Sequence, residues 1–136
     1  MWSILIVEAD TATSDAWATA FVVSGYSVLI ASGMREALMT VRDGGIDVVV
    51  VDVYEPRAGI VELAHGLNAL PDAPPIILVS ASPAAPRVSV RIGAAAFVPK
   101  PCEPAEIVAA VGRLLGHPRP VFRVWDEPTG PVRQAS

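Results

Sequence analysis

The chain alternates between short aliphatic runs and longer segments with a helical period. Five aliphatic runs predict β-strands, and "DVVVVD" and "PIILVS" contain continuous rather than alternating apolar residues. Continuous runs are typical of strands buried on both faces, as in a parallel sheet with helices on each side. The predicted strands are Ser3–Val7, Ser27–Ala31, Asp47–Val51, Pro75–Ser80 and Ala95–Val98.

Segments with a helical period separate the strands. Four of them are well formed: Thr13–Ser24, Met34–Arg42, Ile60–Leu70 and Glu103–Leu115. Strict alternation of strand and helix implies right-handed crossovers and a three-layer α/β domain. The first helix is expected to bury one stripe, formed by Trp17, Ala20, Phe21 and Ser24.

Two regions of the pattern are weaker. The segment between Ala84 and Arg91 contains proline and β-branched residues, so we expect a short or irregular fourth helix. After Gly116 the helical period ends and the sequence becomes Pro-rich. We therefore expect one domain over residues 1–116 and a C-terminal tail over 117–136, in which "VFRVW" is the only apolar stretch.

Composition excludes several classes of protein. The 136 residues are 52% hydrophobic and 18% charged, which predicts a packed core rather than disorder. No apolar run is long enough to span a membrane, and the N-terminus lacks the features of a signal peptide. The net charge of −4 argues against a general nucleic-acid-binding surface. A single cysteine, Cys102, allows no internal disulfide and suits a cytoplasmic protein.

Polar residues follow the predicted strands where each strand ends. Glu8 and Asp10 follow the first strand, Asp52 the third, and Ser80 ends the fourth. Lys100, the only lysine among ten basic residues, follows the fifth. Individually these residues are equally typical of helix caps or exposed loops. Together they suit phosphoryl transfer to a carboxylate, because ligands bind beyond the carboxyl ends of parallel strands and such transfer needs a nucleophile, a cation and a lysine.

The motifs "ILIVEAD", "DVVVVDVYEP", "PPIILVSAS" and "GAAAFVPKP" occur in the order found in bacterial response-regulator receiver domains, which the chain resembles over residues 3–115. The resemblance implies a flavodoxin-like fold with a five-stranded parallel sheet in the order 2-1-3-4-5. It implies phosphorelay signalling in a two-component system rather than enzyme activity. A histidine kinase or phosphotransfer protein would be the donor and another protein the downstream partner. A homodimer is a further option, whereas nucleic acid and membrane are not expected partners.

The resemblance also implies roles for individual residues. Asp52 matches the phosphoacceptor, and Ser80 matches the hydroxyl residue that turns toward the phosphoryl group. Lys100 matches the lysine that pairs with that group, and Phe97 matches the aromatic residue that changes rotamer on activation. Pro101 matches a proline that often follows a cis peptide bond.

The implied magnesium site departs from the family pattern. The family has two adjacent acids after the first strand, but here Glu8 is followed by Ala9, which supplies no oxygen at the usual ligand position. The remaining candidate ligands for Mg²⁺ are Glu8, Asp10, Asp52 and the backbone carbonyl of Tyr54. The chain is also one residue short between Pro56 and Gly59, and about two residues short between Ser80 and Lys100.

These departures leave two main hypotheses. One is a receiver domain that accepts a phosphoryl group on Asp52, and the other is a pseudo-receiver with impaired Mg²⁺ binding that acts without phosphorylation. A flavin carrier is weaker, because "EADTATSD" has no glycine for a phosphate loop. A hydrolase with an aspartate nucleophile would need a second acid two residues after Asp52, where the sequence has Tyr54.

Overall fold

A computed structural model describes residues 1–54 and 58–116 of the chain. The expected shortening between Pro56 and Gly59 lies partly outside the described residues, and the segment 117–136 lies wholly outside them. Within the described ranges, none of the helices has the length and apolar character needed to cross a membrane.

Strands and helices alternate along the described chain, and every pair of neighbouring strands is parallel. The sheet order is β2-β1-β3-β4-β5, which confirms the predicted flavodoxin-like arrangement. The strands are β1 Ser3–Val7, β2 Ser27–Ala31, β3 Val48–Asp52, β4 Ile76–Ser80 and β5 Ala96–Pro99. The helices are α1 Thr11–Val23, α2 Met34–Arg42, α3 Ala58–Asn68, α4 Ala85–Arg91 and α5 Pro104–Leu115.

Some boundaries differ from the predicted ones for local reasons. Asp47 precedes β3 rather than beginning it, and its side chain accepts a hydrogen bond of 2.8 Å from the backbone N–H of Ser3. Asp52 is the last residue of β3 and pairs with Val79. Ser24, expected in the buried stripe of α1, is instead the exposed C-cap of that helix. The fourth helix is short, as predicted, with seven residues and a proline in its first turn.

The core consists of one apolar cluster on each face of the sheet. Alternate residues of the buried strands point to opposite faces, so Leu5 and Val7 join one cluster while Ile4 and Ile6 join the other. Helices α2, α3 and α4 cover the first cluster, and α1 and α5 cover the second. Because the central strands are buried on both faces, polar groups are confined to the ends of the strands.

Helices α2 and α3 approach each other closely at Gly66. A Cβ atom at this position would lie 2.8 Å and 2.9 Å from the two methyl carbons of Leu38. Glycine in a helix costs about 1 kcal/mol relative to alanine. The close approach of Leu38 therefore explains why glycine occupies this position of α3 despite that cost.

We predict that Gly66→Ala gives little or none of the usual gain of about 1 kcal/mol, because the added methyl group meets Leu38. In a Leu38→Ala background, the same substitution is expected to recover that gain. Urea unfolding of the two single variants and the double variant measures the coupling. Equal effects of Gly66→Ala in both backgrounds would contradict the proposed contact.

Candidate functional site

The site lies at the carboxyl ends of the strands, where β1, β3 and β5 deliver charged residues to one edge of the sheet. Lys100 Nζ donates a hydrogen bond of 2.6 Å to Asp52 Oδ2. The Asp52 side chain is 4% exposed and the Lys100 side chain is 33% exposed. A charge-assisted bond to a buried carboxylate is stronger than the same pair on the surface. The Lys100 ammonium group therefore forms an ion pair with Asp52, the buried carboxylate of the site.

Glu8 is the second carboxylate of the site and lies half-buried beside Asp52. The pKa of Glu8 is raised from 4.5 to about 7, mainly by burial and then by the side-chain hydrogen bond to Asp52. The backbone N–H of Asp10 donates a hydrogen bond of 2.7 Å to Glu8 Oε2. This bond and the positive charge of Lys100 both lower the pKa of Glu8 and so oppose the increase. Glu8 therefore changes charge near neutral pH in this conformation.

Asp10 turns away from these carboxylates and caps α1. Its Oδ2 accepts hydrogen bonds from the backbone N–H of Thr13 at 2.9 Å and from Thr13 Oγ1 at 2.7 Å. These hydrogen bonds lower the pKa of the exposed Asp10 carboxyl. In this conformation the Asp10 carboxylate caps the N-terminus of α1, and its expected part in metal binding stays a prediction.

Few oxygen donors remain near Asp52 for the expected magnesium ion. In the part of the chain that the structure describes, no group of three or more acidic, histidine or cysteine side chains is placed to hold a metal ion. Ala9 is exposed and offers no oxygen, whereas Glu8 and Asp52 are in contact. Mg²⁺ in proteins is often held by one or two carboxylates and keeps several waters. The two carboxylates fit a hydrated Mg²⁺ at the lower limit of ligand number.

The other predicted residues lie around this pair of carboxylates in different states of burial. Ser80 is 1% exposed, and its Oγ accepts a hydrogen bond of 3.1 Å from the N–H of Ser82. The carbonyl of Ser80 accepts a hydrogen bond of 3.1 Å from the backbone N–H of Lys100, and this bond joins the ends of β4 and β5. Phe97 is half-buried against the cluster under α2, α3 and α4, and the Lys100–Pro101 peptide bond is cis.

Trp17 is a residue of the site that sequence reasoning placed only in the core. Its side chain is 5% exposed, and Lys100 Nζ lies 5.8 Å from the centroid of its ring system. At this distance the ammonium and the aromatic face attract each other. No sequence signal links the two residues, because 83 positions separate Trp17 from Lys100 and only the fold brings α1 beside the loop after β5.

An open cleft of about 390 Å³ lies between the first two turns of α1 and the loop after β5. Trp17 and Lys100 line the cleft, together with small side chains such as Ala12 and Ala16. Cys102 also lines it, but burial, followed by the charge of Glu106, raises the pKa of its thiol. The thiol is therefore not activated as a nucleophile.

The sequence matches the response regulator receiver domain family over residues 4–112. The chain belongs to this family. Receiver domains are signalling modules of two-component systems rather than typical enzymes, and they generally bind Mg²⁺ at the site of phosphorylation. Response regulators interact with histidine kinases or phosphotransfer proteins and with downstream targets.

Curated relatives and solved structures agree with this assignment. Response regulator MprA of Mycolicibacterium vanbaalenii is 33% identical over 122 residues, which cover 86% of this chain and 52% of the relative. Response regulator MprA of Mycobacterium leprae is 32% identical with the same coverage. The chain thus spans about half the length of the curated relatives it matches.

Two solved structures have similar folds. A CheY-like receiver domain protein from Methanospirillum hungatei is 26% identical, with a TM-score of 0.75 over 85% of this chain and 94% of that one. The signal receiver domain of a signal transduction histidine kinase from Syntrophus aciditrophicus is 26% identical, with a TM-score of 0.75 over 91% and 97%. The structural match therefore covers nearly the whole length of both receiver domains.

We predict that, without divalent cations, the free energy of unfolding decreases as the pH rises through the range in which Glu8 loses its proton. The pKa of Glu8 is raised in the folded state, so folding favours the protonated form. The resulting stability is complete below pH 4.5 and is lost as the pH rises through about 7. Glu8→Gln keeps a neutral hydrogen-bond donor beside Asp52 and should reduce this loss. Thermal unfolding in a chelator across this range measures the difference.

A matched control is Glu62→Gln, which removes an exposed glutamate from α3. This variant should retain the wild-type dependence of unfolding temperature on pH. A wild-type slope in Glu8→Gln would show that Glu8 is not the titrating group.

Proposed function

We propose that this chain is a signalling receiver in which Asp52 accepts a phosphoryl group from a phosphohistidine. The donor would be a histidine kinase or phosphotransfer protein in the cytoplasm, and the output would be a protein contact. The observation that carries the proposal is the 2.6 Å bond from Lys100 to Asp52, a carboxylate at the carboxyl end of β3. A nucleophilic carboxylate next to a fixed ammonium suits transfer of a charged phosphoryl group.

In the proposed reaction, an oxygen of Asp52 forms a bond to phosphorus while the bond from phosphorus to the donor imidazole nitrogen breaks. The imidazole leaves with the electron pair of that bond and takes a proton. Lys100 first holds the carboxylate and then pairs with a phosphoryl oxygen, so that its positive charge offsets the charge gained by the site. Trp17 limits the space available to Lys100 on the side of α1.

Magnesium would be held by Glu8 and Asp52, with the backbone carbonyl of Tyr54 as a further oxygen ligand. When bound, the cation would neutralise negative charge on the transferred group. Glu8 would then be ionised, since a cation favours the charged form of a carboxyl beside it. Asp10 would remain the cap of α1, because its hydrogen bonds to Thr13 do not involve the other carboxylates.

Ser80 and Phe97 are the proposed elements of the response to phosphorylation. The Ser80 hydroxyl would exchange its contact with the Ser82 N–H for a phosphoryl oxygen. Phe97, which packs half-buried on the side of α4, would then change its rotamer. Both changes would alter the surface formed by β4, α4 and β5.

We predict that incubation with a small acyl phosphate and Mg²⁺ adds one phosphoryl group to the wild-type chain, measured by intact mass. Asp52→Ala should gain none, because it lacks the nucleophile. Asp72→Ala, which removes an exposed aspartate before β4, should behave like the wild type. A wild type that gains no mass, or an equal gain in Asp52→Ala, would overturn the proposed phosphoacceptor.

A phosphorylation-independent pseudo-receiver is a second candidate function. Two observations favour it: Ala9 supplies no oxygen, and Asp10 is used as a helix cap. With only Glu8 and Asp52 in contact, the affinity for Mg²⁺ would be lower than in a site with three carboxylates. The chain would then contact its partner without chemical modification.

We predict that Ala9→Asp strengthens Mg²⁺ binding, because it adds a carboxylate beside the two that are present. Fluorescence of Trp17, which contacts Lys100, reports the titration, and Trp17→Phe controls for the other tryptophans. Ala109→Asp adds the same charge to an exposed position on α5 and should leave the affinity unchanged. If the wild type already binds as tightly as Ala9→Asp, impaired metal binding is excluded as the basis of a pseudo-receiver.

A further inference from the structure

The ammonium group of Lys100 contacts two groups that belong to different elements of the fold. Its Nζ donates a hydrogen bond of 2.6 Å to Asp52 Oδ2 at the end of β3, and it lies over the ring system of Trp17 in α1, 5.8 Å from the centroid. An ammonium within about 6 Å of a ring centroid is attracted to the aromatic face, most strongly by tryptophan. The carboxylate and the indole together therefore define where the ammonium lies.

Trp17 belongs both to the core and to the wall of the cleft beside Lys100. Its side chain is 5% exposed and is part of the apolar cluster under α1 and α5. It also lines the open cleft of about 390 Å³. Side chains in a close-packed interior have few alternative positions. The indole therefore presents a fixed surface to a lysine whose four-carbon stem is flexible.

The cleft gives Lys100 space to move away from Asp52. The lysine side chain is 33% exposed and lines the cleft itself. Ala12 and Ala16, which line the same wall of α1, end in methyl groups that do not attract an ammonium. The indole face of Trp17 therefore limits how far the ammonium can leave Asp52 toward the cleft.

Other carboxylates compete with Asp52 for the same ammonium. Glu8 and Asp10 both interact electrostatically with Lys100, and a lysine that turned toward either would leave Asp52. An aromatic ring attracts a cation without accepting the directed hydrogen bond that a carboxylate accepts. The indole of Trp17 can therefore restrain the ammonium while its N–H groups stay available to Asp52.

We propose that Trp17 is a positioning residue for phosphoryl transfer, because its indole face keeps the Lys100 ammonium beside Asp52. The role rests on the proposed phosphorylation of Asp52 and operates through Lys100 rather than through contact with the reacting atoms. Since the ring uses none of the N–H groups of the ammonium, Lys100 can exchange the carboxylate for a phosphoryl oxygen without leaving the ring. Trp17 thus retains the lysine at the site before and after transfer.

The rate of phosphorylation tests this role in the full chain. With a small acyl phosphate and Mg²⁺, intact mass followed over time should show transfer to Trp17→Leu about fivefold slower than to the wild type. Trp17→Phe keeps a weaker aromatic face and should be about twofold slower, which preserves the test if Trp17→Leu does not fold. Phe21→Leu is the matched control, because it removes a fully buried ring from the next turn of α1 and the same apolar cluster. That variant should lose stability but keep the wild-type rate.

A double-mutant cycle distinguishes action through Lys100 from a general effect on the fold. Lys100→Met should slow transfer by itself, since it removes the ammonium. In that background Trp17→Leu should have no further effect on the rate, because the group that Trp17 positions is absent. An equal slowing in both backgrounds would show a purely structural role for Trp17 and would overturn the proposal.

A spectroscopic measurement tests the contact without any phosphate. Lys100 is the only lysine of the chain, so isotope-labelled lysine gives one set of ε-CH₂ signals in an NMR spectrum. The ring current of Trp17 should shift these signals away from those of a lysine in water, in the wild type and in Phe21→Leu alike. Trp17→Leu should return the signals toward those of a lysine in water.

The outcomes separate this role from the proposed function. A wild type that gains no mass overturns the proposed function, and the positioning role falls with it. A wild type that is phosphorylated no faster than Trp17→Leu and Trp17→Phe overturns the positioning role alone, as does a wild-type lysine signal that matches a lysine in water. Transfer to Phe21→Leu as slow as to Trp17→Leu would assign the effect to lost core packing and would also overturn it.

Discussion

The double burial of the central strands is the constraint on which the rest of the structure depends. Strands β1, β3 and β4 are apolar at nearly every position because helices cover both faces of the sheet. A charged side chain in the middle of such a strand would lose its hydration on either face. Charged groups therefore occur where the strands end, and the parallel arrangement brings these ends to one edge of the molecule.

The predictability of the fold follows from the same constraint. Continuous runs such as Val48–Val51 identify buried parallel strands by composition alone, and the alternation with helices limits the possible crossovers. The strand order came from the resemblance, because no periodicity states which strand is central. Contacts of single side chains, such as the hydrogen bond from the Ser3 N–H to Asp47 before β3, are not visible in any pattern of hydrophobicity.

Only part of the candidate site could be predicted from the sequence, and its contacts could not. The ends of the strands identified Asp52 and Lys100, and the fold places them 2.6 Å apart. The role of Asp10 depended on a choice between capping α1 and facing Glu8, and its two hydrogen bonds to Thr13 decide that choice. Trp17 could not be assigned to the site in advance, since an aromatic residue in a helical stripe is an ordinary core residue.

The replacement of the usual second acid by Ala9 changes the charge balance around Asp52. Two carboxylates and one ammonium remain, and a proton on Glu8 removes the net negative charge that a cation would otherwise neutralise. A proton and a divalent cation therefore stabilise the same pair of carboxylates and exclude each other there. With a Glu8 pKa of about 7, the proton leaves within the physiological range. A cation that bound at this edge of the sheet would therefore bind in a pH-dependent manner, whichever of the two candidate functions the domain serves.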